Sequence, residues 1–151
     1  MDRLIMFIAT GAYTGYLPKA PGTWGSILGV GLWALLHNLE LLPYTAVIAA
    51  LFIIGTACAG SAEKIVDRGD PGLVVIDEIV GQLIALAAVP FNPVAALLGF
   101  VLFRIFDIFK PFPINWLDKH IHGGLGIMLD DVVAGLYTLL VLQLLLRYVL
   151  P

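Results

Sequence analysis

Charged side chains are scarce in this sequence. Aspartate, glutamate, lysine and arginine make up 13% of its 151 residues, whereas 60% are hydrophobic. A water-soluble domain usually carries about a quarter charged residues, so this chain lacks the polar surface that would cover a water-facing exterior. The composition favours a membrane protein over an unusually apolar soluble helical core, and the length predicts a single domain over residues 1–151.

Cysteine and basic residues are scarce as well. Cys58 is the only cysteine, so an intrachain disulfide is excluded, and its small neighbours predict a helix-packing residue. The net charge is −3, which argues against nucleic acid as a partner. The apolar run near the N-terminus, residues 4–9, is short and lacks a convincing cleavage site, so we expect no removable signal peptide.

Two long stretches of the chain carry no charge. They lie between Glu40 and Glu63 and between Glu78 and Arg104, and each exceeds the roughly 20 residues of a membrane-spanning helix. The turn signal at 90–93, Pro-Phe-Asn-Pro, makes the second stretch either one long kinked helix or a helical hairpin. We favour the hairpin, which predicts an all-α polytopic membrane bundle of about five helices. Their expected positions are near 25–38, 44–62, 74–89, 94–110 and 131–149.

Five helices would place the polar segments 10–24, 62–74 and 110–130 on one side of the membrane. Seven of the eight lysines and arginines would then lie on that side, and only Arg147 on the other. An excess of lysine and arginine in short loops marks the cytoplasmic side. The hairpin therefore predicts one polar face, which is cytoplasmic, whereas a single span over 79–103 would divide the polar segments.

The first polar cluster, residues 15–26, is rich in glycine and precedes an apolar helix. Lys19 adds a cation, and Thr23 and Ser26 add hydroxyl groups. Glycines let backbone N–H groups approach an anion, and a helix N-terminus favours negative charge. The pattern is equally typical of a helix start capped by Thr23 or Ser26, so a phosphate site and a simple cap both remain open.

The second cluster places Asp77 and Glu78 at the beginning of an otherwise apolar helix, with Gln82 one turn beyond Glu78. The helix dipole by itself favours acids near an N-terminus. However, the two carboxylates project about 100° apart on a helix, so at least one must turn toward protein. Because ionisable residues at membrane depth are costly, these acids predict a functional site.

In the third cluster Arg104, Asp107 and Lys110 recur every three residues and form one polar stripe. A structural Arg104–Asp107 ion pair is the plain alternative to a phosphate-binding role, for which arginine and lysine are suited. The fourth cluster is a glycine-rich approach, residues 123–126, to Asp130 and Asp131 at the expected start of the last helix. Asp118 gives a weaker signal, and we expect His120 and His122 to lie on the surface.

Acids from separate clusters are expected to converge at one end of the bundle. They are Asp77, Glu78, Asp107, Asp130 and Asp131. Clustered carboxylates repel one another unless a cation neutralises them, and a site made only of oxygen ligands suits Mg²⁺. Such a metal polarises phosphoryl oxygens and activates water. The sequence therefore predicts a magnesium site.

Taken together, the four clusters resemble the motifs of the phosphatidylglycerophosphatase A family, and they occur in the family's order. The matching segments are Gly15-Tyr16 with Ala20-Pro21-Gly22-Thr23-Trp24-Gly25-Ser26, Ile76-Asp77-Glu78-Ile79-Val80-Gly81-Gln82, Phe103-Arg104-Ile105-Phe106-Asp107-Ile108 with Lys110-Pro111, and Gly124, Gly126-Ile127-Met128 and Asp130-Asp131. The resemblance implies an all-helical enzyme of the bacterial inner membrane. It also implies Mg²⁺-dependent hydrolysis of phosphatidylglycerophosphate to phosphatidylglycerol and phosphate.

Within that resemblance we assign expected roles to nine residues. The catalytic or metal-binding residues are Asp77, Glu78, Asp107, Asp130 and Asp131; the phosphate-binding residues are Lys19, Thr23, Arg104 and Lys110. Direct attack by water is favoured, because no activated cysteine or histidine–serine pair is evident, and an aspartyl-phosphate intermediate stays open.

Other functions compete with this interpretation. A broader lipid phosphomonoester phosphatase, which would also accept phosphatidic acid, fits the same residues. A CDP-alcohol transferase would share the membrane helices but requires a spaced aspartate signature that is absent here. A cation-conducting membrane protein would use buried acids for ion passage, but its polar residues should continue across the bilayer. The sequence leaves homo-oligomerisation open.

Overall fold

The chain is built from helices throughout the part that the computed structural model describes, residues 1–148. Seven α-helices follow one another, with a short 3-10 turn at Thr14–Tyr16. They are α1 (Asp2–Ala9), α2 (Pro21–Leu36), α3 (Leu41–Val66), α4 (Ile76–Ala85), α5 (Pro93–Phe109), α6 (Ile114–His120) and α7 (Gly123–Tyr148). The all-α prediction is confirmed, but the expected count of about five helices is wrong.

The helical hairpin expected near Pro90–Pro93 is present and joins α4 to α5. The carboxamide oxygen of Asn92 accepts hydrogen bonds from the backbone N–H groups of Val94 and Ala95, at 2.8 and 3.4 Å. Pro93 follows as the first helical residue, where its missing N–H costs no hydrogen bond. The sequence Asn-Pro therefore ends the turn and starts α5 at the predicted place.

The short helix α4 is the centre of the bundle. It packs against α2, α3, α5 and α7, and its residues Val80 and Leu83 are completely buried. At its C-terminal half the Tyr44 hydroxyl from α3 donates a hydrogen bond to the Leu83 carbonyl, at 2.7 Å. Because four helices surround α4, the acids of its first turn lie among neighbouring helices and not on an outer face.

Backbone contact between helices depends on glycine in α7. A Cβ atom at Gly135 would overlap the carbonyl oxygen of Gly81 in α4, and one at Gly124 would overlap the carbonyl oxygen of Thr56 in α3. Side chains at these positions would push the helices apart. The glycines thus allow α7 to lie directly against both α3 and α4.

The last helix begins earlier than predicted. The sequence pattern placed its start at residue 131, with a glycine-rich loop ahead of it, but α7 begins at Gly123 and contains those glycines. Asp130 and Asp131 consequently lie in the third turn of α7 and do not cap its start. The final residue of the predicted helix, 149, lies outside the described residues.

Two further helices were not predicted. The short apolar run at the N-terminus forms α1, and part of the polar segment 110–130 forms α6. In α6 only Ile114 is buried, while Trp116 is half exposed, so its sequence lacks the repeated apolar face from which a helix is recognised.

The thiol-bearing Cys58 is buried in α3, as expected for a packing residue.

The polar segments gather at one end of the bundle. The end of α1 meets the start of α4 through a hydrogen bond from the Val75 N–H to the Ala9 carbonyl, at 2.9 Å. Gly22 at the start of α2 lies against Glu78, and Gly60 near the end of α3 lies against Gly124. The helices α3 and α7, each 26 residues long, are long and apolar enough to cross a membrane.

Candidate active site

A cavity of about 690 Å³ opens at this polar end of the bundle. Its wall is mainly acidic, with nine carboxyl side chains and three cationic ones. The carboxyl residues are Glu63, Asp67, Asp70, Asp77, Glu78, Asp107, Asp118, Asp130 and Asp131, and the cationic residues are Lys64, Arg68 and Lys110. A cavity of this size falls within the range of about 300–1,000 Å³ that small-ligand sites occupy.

Three of the carboxylates form a tight cluster, which we call the acidic trio: Asp77, Glu78 and Asp131. One oxygen from each lies within 4.8 Å of the other two. The first two come from the first turn of α4, and Asp131 comes from α7. The close approach of α7 to α4 at Gly81 and Gly135 places these two helices near enough for the carboxylates to meet.

The acidic trio is incompletely satisfied by the protein. Asp77 Oδ1, Glu78 Oε2 and Asp131 Oδ2 are all buried, and within residues 1–148 none of them has a hydrogen-bond partner. Buried carboxylates without compensation are strongly unfavourable, and like charges this close repel each other. Oxygen ligands in such a cluster are what Mg²⁺ prefers, so the residues fit a divalent cation.

The two other acids predicted for the metal site have cationic partners instead. Arg104 donates a hydrogen bond of 2.5 Å to Asp107 and lies 3.8 Å from Glu78. The Arg104–Asp107 ion pair, which the sequence left open as the alternative to a phosphate-binding role, is therefore formed, and it reaches the trio through Glu78. Gly22 of α2 packs on both Glu78 and Arg104, where a Cβ atom would overlap them, so the glycine-rich first cluster borders the site.

Lys110 links three helices across the cavity. Its ammonium group donates to Asp118 Oδ1 on α6 at 2.6 Å and to Asp130 Oδ2 on α7 at 2.7 Å. Burial by itself would lower the pKa of Lys110, but the hydrogen bonds to these carboxylates outweigh it and raise the pKa above its usual range. Lys110 thus stays charged and keeps α6 beside α7.

The structure does not bring all of the predicted phosphate-binding residues into the cavity. Lys19 is exposed, Thr23 is half-buried and the Arg104 side chain is 16% exposed, and none of the three lines the cavity wall formed by the described residues, whereas Lys110 does. Thr23 does not cap α2 either, because Ala20 precedes the helix and Pro21 begins it. His120 and His122 are exposed, as expected, although His122 also lines the cavity.

Sequence reasoning missed the contribution of the last turn of α3 and of the loop that follows it. Glu63, Asp67 and Asp70 all line the cavity, and Glu63 Oε1 accepts a hydrogen bond of 2.9 Å from the Asp70 N–H. Charges in a loop are usually solvated, so the segment gave no local signal. These residues could have been found from the predicted topology, because the hairpin already placed residues 62–74 on the same side of the bundle as the other polar segments.

Comparison with known proteins gives a consistent result. The family model described as phosphatidylglycerophosphatase A matches residues 7–146. The phosphatidylglycerophosphatase A of Escherichia coli is 41% identical over 134 residues, covering 87% of this chain and 77% of that protein. The phosphatidylglycerophosphatase A of Haemophilus influenzae is 41% identical over 141 residues, covering 91% of this chain and 85% of that protein.

A third relative differs in its name. A Bacteroides thetaiotaomicron protein, provisionally named a phosphatidylinositol-3-phosphatase, is 40% identical over 148 residues, covering 92% of this chain and 91% of that protein. No solved structure matches the chain. The family match extends over nearly every element that surrounds the acidic trio. The chain belongs to the phosphatidylglycerophosphatase A family of phosphatases.

Proposed function

We propose that this protein hydrolyses phosphatidylglycerophosphate to phosphatidylglycerol and phosphate, that it requires Mg²⁺, and that it acts at the cytoplasmic face of the bacterial inner membrane. The observation that carries the proposal is the acidic trio of Asp77, Glu78 and Asp131, with three buried oxygens that the described part of the protein leaves unpaired. The family match supports the choice of substrate, and the unpaired carboxylate oxygens of the trio support a bound metal ion.

Electrostatics explains why a phosphatase with this cavity would need a cation. A phosphomonoester carries a charge of about −1.5 to −2 at neutral pH, while the cavity wall has three times as many carboxyl as cationic residues. Such a substrate would be repelled by the wall alone. When bound to the trio, Mg²⁺ would offset these charges, polarise a phosphoryl oxygen and activate water.

Two cationic residues, Lys110 on the cavity wall and Arg104 beside Glu78, keep N–H donors for a phosphate group. Lys110 uses two of its three N–H donors on Asp118 and Asp130, which leaves one donor for a phosphate oxygen. The Arg104 Nε atom is buried without a hydrogen-bond partner in residues 1–148, while Asp107 holds the same guanidinium in place. Asp107 and Asp130 therefore orient the two cations, a role distinct from that of the trio.

Direct attack by water remains the favoured reaction course. Cys58 is buried in α3 and is not among the described residues that line the cavity, so it offers no nucleophile. The cavity wall instead holds carboxylates that can accept a proton from water. The membrane placement rests on α3 and α7 as spans and on the excess of lysine and arginine at the cavity end, which marks the cytoplasmic side.

The direct test is phosphate release by purified protein from phosphatidylglycerophosphate, with Mg²⁺ and with a chelator. We expect release only with Mg²⁺, and equal rates in both conditions would refute the metal requirement. Phosphatidylinositol 3-phosphate and phosphatidic acid are assayed in parallel, because the Bacteroides relative is named for a different lipid phosphomonoester. A preference of less than about tenfold for phosphatidylglycerophosphate would favour the broader lipid phosphatase.

A further inference from the structure

A second cavity lies along the outside of the bundle, between α2 and α5. We call it the α2–α5 groove. It has a volume of about 490 Å³, and its walls are Ile27, Val30, Trp33 and Ala34 on one side and Ala96, Leu97 and Phe100 on the other, with Phe91 to Pro93 at the end. Nearly all of these side chains are apolar. The polar exception, Asn92, already uses its carboxamide oxygen to cap α5.

The groove begins about one helical turn from two residues, Gly22 and Arg104, that contact the wall of the acidic cavity. Phe100 lies one helical turn before Arg104 on α5, and Ile27 follows Gly22 on α2 by little more than a turn. Gly22 and Arg104 both contact Glu78, which lines the catalytic cavity. A molecule with its phosphate near Arg104 would therefore have the mouth of the groove within one turn of helix, about 5 Å away.

The far end of the groove is closed by aromatic rings. Phe91 stacks on Trp33, with ring centroids 5.7 Å apart, and on His37, at 4.2 Å. From Arg104 back to Pro93 the helix α5 rises about 16 Å, at roughly 1.5 Å per residue. The groove is thus an apolar trough of limited length that starts one helical turn from Arg104 and ends at a ring stack.

The groove is also open along its side. Ile27 and Leu97 on its two rims are 47% and 62% exposed, so an occupant can enter laterally and does not have to pass through the acidic cavity. Apart from the Asn92 carboxamide and the Trp33 indole N–H, the described walls are hydrocarbon, whereas a specific polar ligand would require several placed polar groups. A flexible hydrocarbon chain needs only apolar contact, and each buried methylene contributes about 0.8 kcal/mol.

We propose that the α2–α5 groove binds one acyl chain of the lipid whose phosphate is hydrolysed in the acidic cavity. This inference rests on the proposed function, because the position of the headgroup defines which chain the groove receives. The groove would hold the lipid with its phosphomonoester beside Arg104, and the ring stack at Trp33, His37 and Phe91 would limit how far the chain extends.

Kinetics on substrates of different chain length test the proposal. Wild type is assayed with dipalmitoyl and with dihexanoyl phosphatidylglycerophosphate in detergent micelles, and we expect a KM at least about tenfold lower for the long-chain lipid. Ala34→Phe and Leu97→Trp, which add bulk on opposite walls, should raise the KM for the long-chain lipid by about tenfold. Neither change should alter kcat for the dihexanoyl lipid.

The matched control is Ala57→Phe, the same substitution at an exposed position of α3 outside the groove. It should leave both KM values unchanged. Equal KM values for the two lipids in wild type, or equal effects of the groove variants and Ala57→Phe, would overturn the proposal.

A photolabelling arm separates this proposal from the proposed function, because it requires no turnover. A phosphatidylglycerophosphate analogue with a diazirine at the end of one acyl chain is irradiated on the protein in phosphatidylcholine vesicles. We expect labelling of residues 27–34 and 91–100 that unlabelled substrate suppresses. Labelling spread equally over outward positions such as Ile53 would overturn the groove assignment even if the lipid is hydrolysed.

Discussion

Single residues in the cavity differ in how their charges are balanced. Asp107 and Asp130 each face a cation at hydrogen-bond distance, whereas in the acidic trio, among residues 1–148, only Glu78 has a cation within 4 Å, Arg104 at 3.8 Å. Removing a charge from a balanced pair leaves a buried partner uncompensated, but removing one from the trio relieves repulsion. The two kinds of acid should therefore respond differently to neutralisation.

The first prediction concerns Asp131→Asn. Phosphate release should fall by at least about a hundredfold, the scale on which one electrostatic group acts in catalysis. In a chelator, however, the melting temperature should equal or exceed that of wild type, because a buried charge that repels Asp77 and Glu78 is gone. Thermal unfolding in detergent, measured by circular dichroism, checks the stability.

A matched control for that substitution is available at the cavity rim. Asp67 lines the cavity but ends α3 in the left-handed conformation, φ 52°, which asparagine tolerates as well as aspartate. Asp67→Asn should keep both activity and melting temperature near the wild-type values. A large stability loss in Asp131→Asn, with unchanged stability in the control, would show that the trio is not a repulsive cluster.

The second prediction concerns the two partners of Lys110. The Lys110–Asp130 pair is more buried than the Lys110–Asp118 pair, with the carboxylate side chains 10% and 37% exposed. Double-mutant cycles with Lys110→Gln should give a larger coupling free energy for Asp130→Asn than for Asp118→Asn. The latter should fall within about 0.2–1 kcal/mol, as for exposed pairs. The reverse order would contradict the geometry.

The residues that sequence predicted best are those that break an apolar pattern. Asp77 and Glu78 were identifiable because the helix dipole does not offset the cost of two adjacent acids at membrane depth, at least one of which must turn toward protein. Glu63 and Asp70 were not identifiable, because acids beside other charges in a loop look like a solvated surface. Their role as cavity walls depends on which helix ends meet, which only the tertiary structure determines.

Among the helices, α7 shows most clearly where packing overrides local pattern. Glycines in series predicted a loop before residue 131, since glycine weakens a helix by about 1 kcal/mol relative to alanine. In the structure Gly124 and Gly126 stay helical, because Gly124 lies on the backbone of α3 and Gly126 on that of Ile121. A close contact between helices cannot be read from the sequence of one of them.

The third prediction concerns the glycine contact between α3 and α7. Gly124→Ala should destabilise the protein by about 1–3 kcal/mol, because its Cβ would overlap the Thr56 carbonyl of α3 and force α7 away. Gly31→Ala is the control, since nothing lies within 4 Å of the added Cβ in α2. That change should be neutral or stabilise by up to about 1 kcal/mol. Equal effects in chemical unfolding would refute the close α3–α7 packing.

Across the whole molecule, the two ends of the bundle have opposite character. One end collects the acids and most cations around the acidic cavity, and the other holds the turn 37–40 and the hairpin 90–93. The sequence prediction already assigned the connecting segments to these two ends, because successive long helices run in alternating directions. Missing α1 and α6 did not change that assignment, since those two short helices add no crossing between the ends. The proposed membrane orientation depends on this division.

The fourth prediction tests that orientation. In a Cys58→Ser background, His120→Cys should react with a membrane-impermeant maleimide only after spheroplasts are lysed, since α6 lies at the cavity end. Asn38→Cys, in the turn after α2, should react in intact spheroplasts. Both positions are exposed in the structure, so labelling reports the side of the membrane. Labelling of both residues from the same side would contradict a bundle that spans the bilayer.

The central claim is that Asp77, Glu78 and Asp131 together hold a divalent cation. The most direct measurement is electron paramagnetic resonance of Mn²⁺ bound to the purified protein, with Mg²⁺ as the competitor. We predict that wild type and Asp67→Asn bind Mn²⁺ that Mg²⁺ displaces, and that Asp77→Asn and Asp131→Asn each lose at least about tenfold in affinity. Equal Mn²⁺ binding by all four proteins would contradict the account.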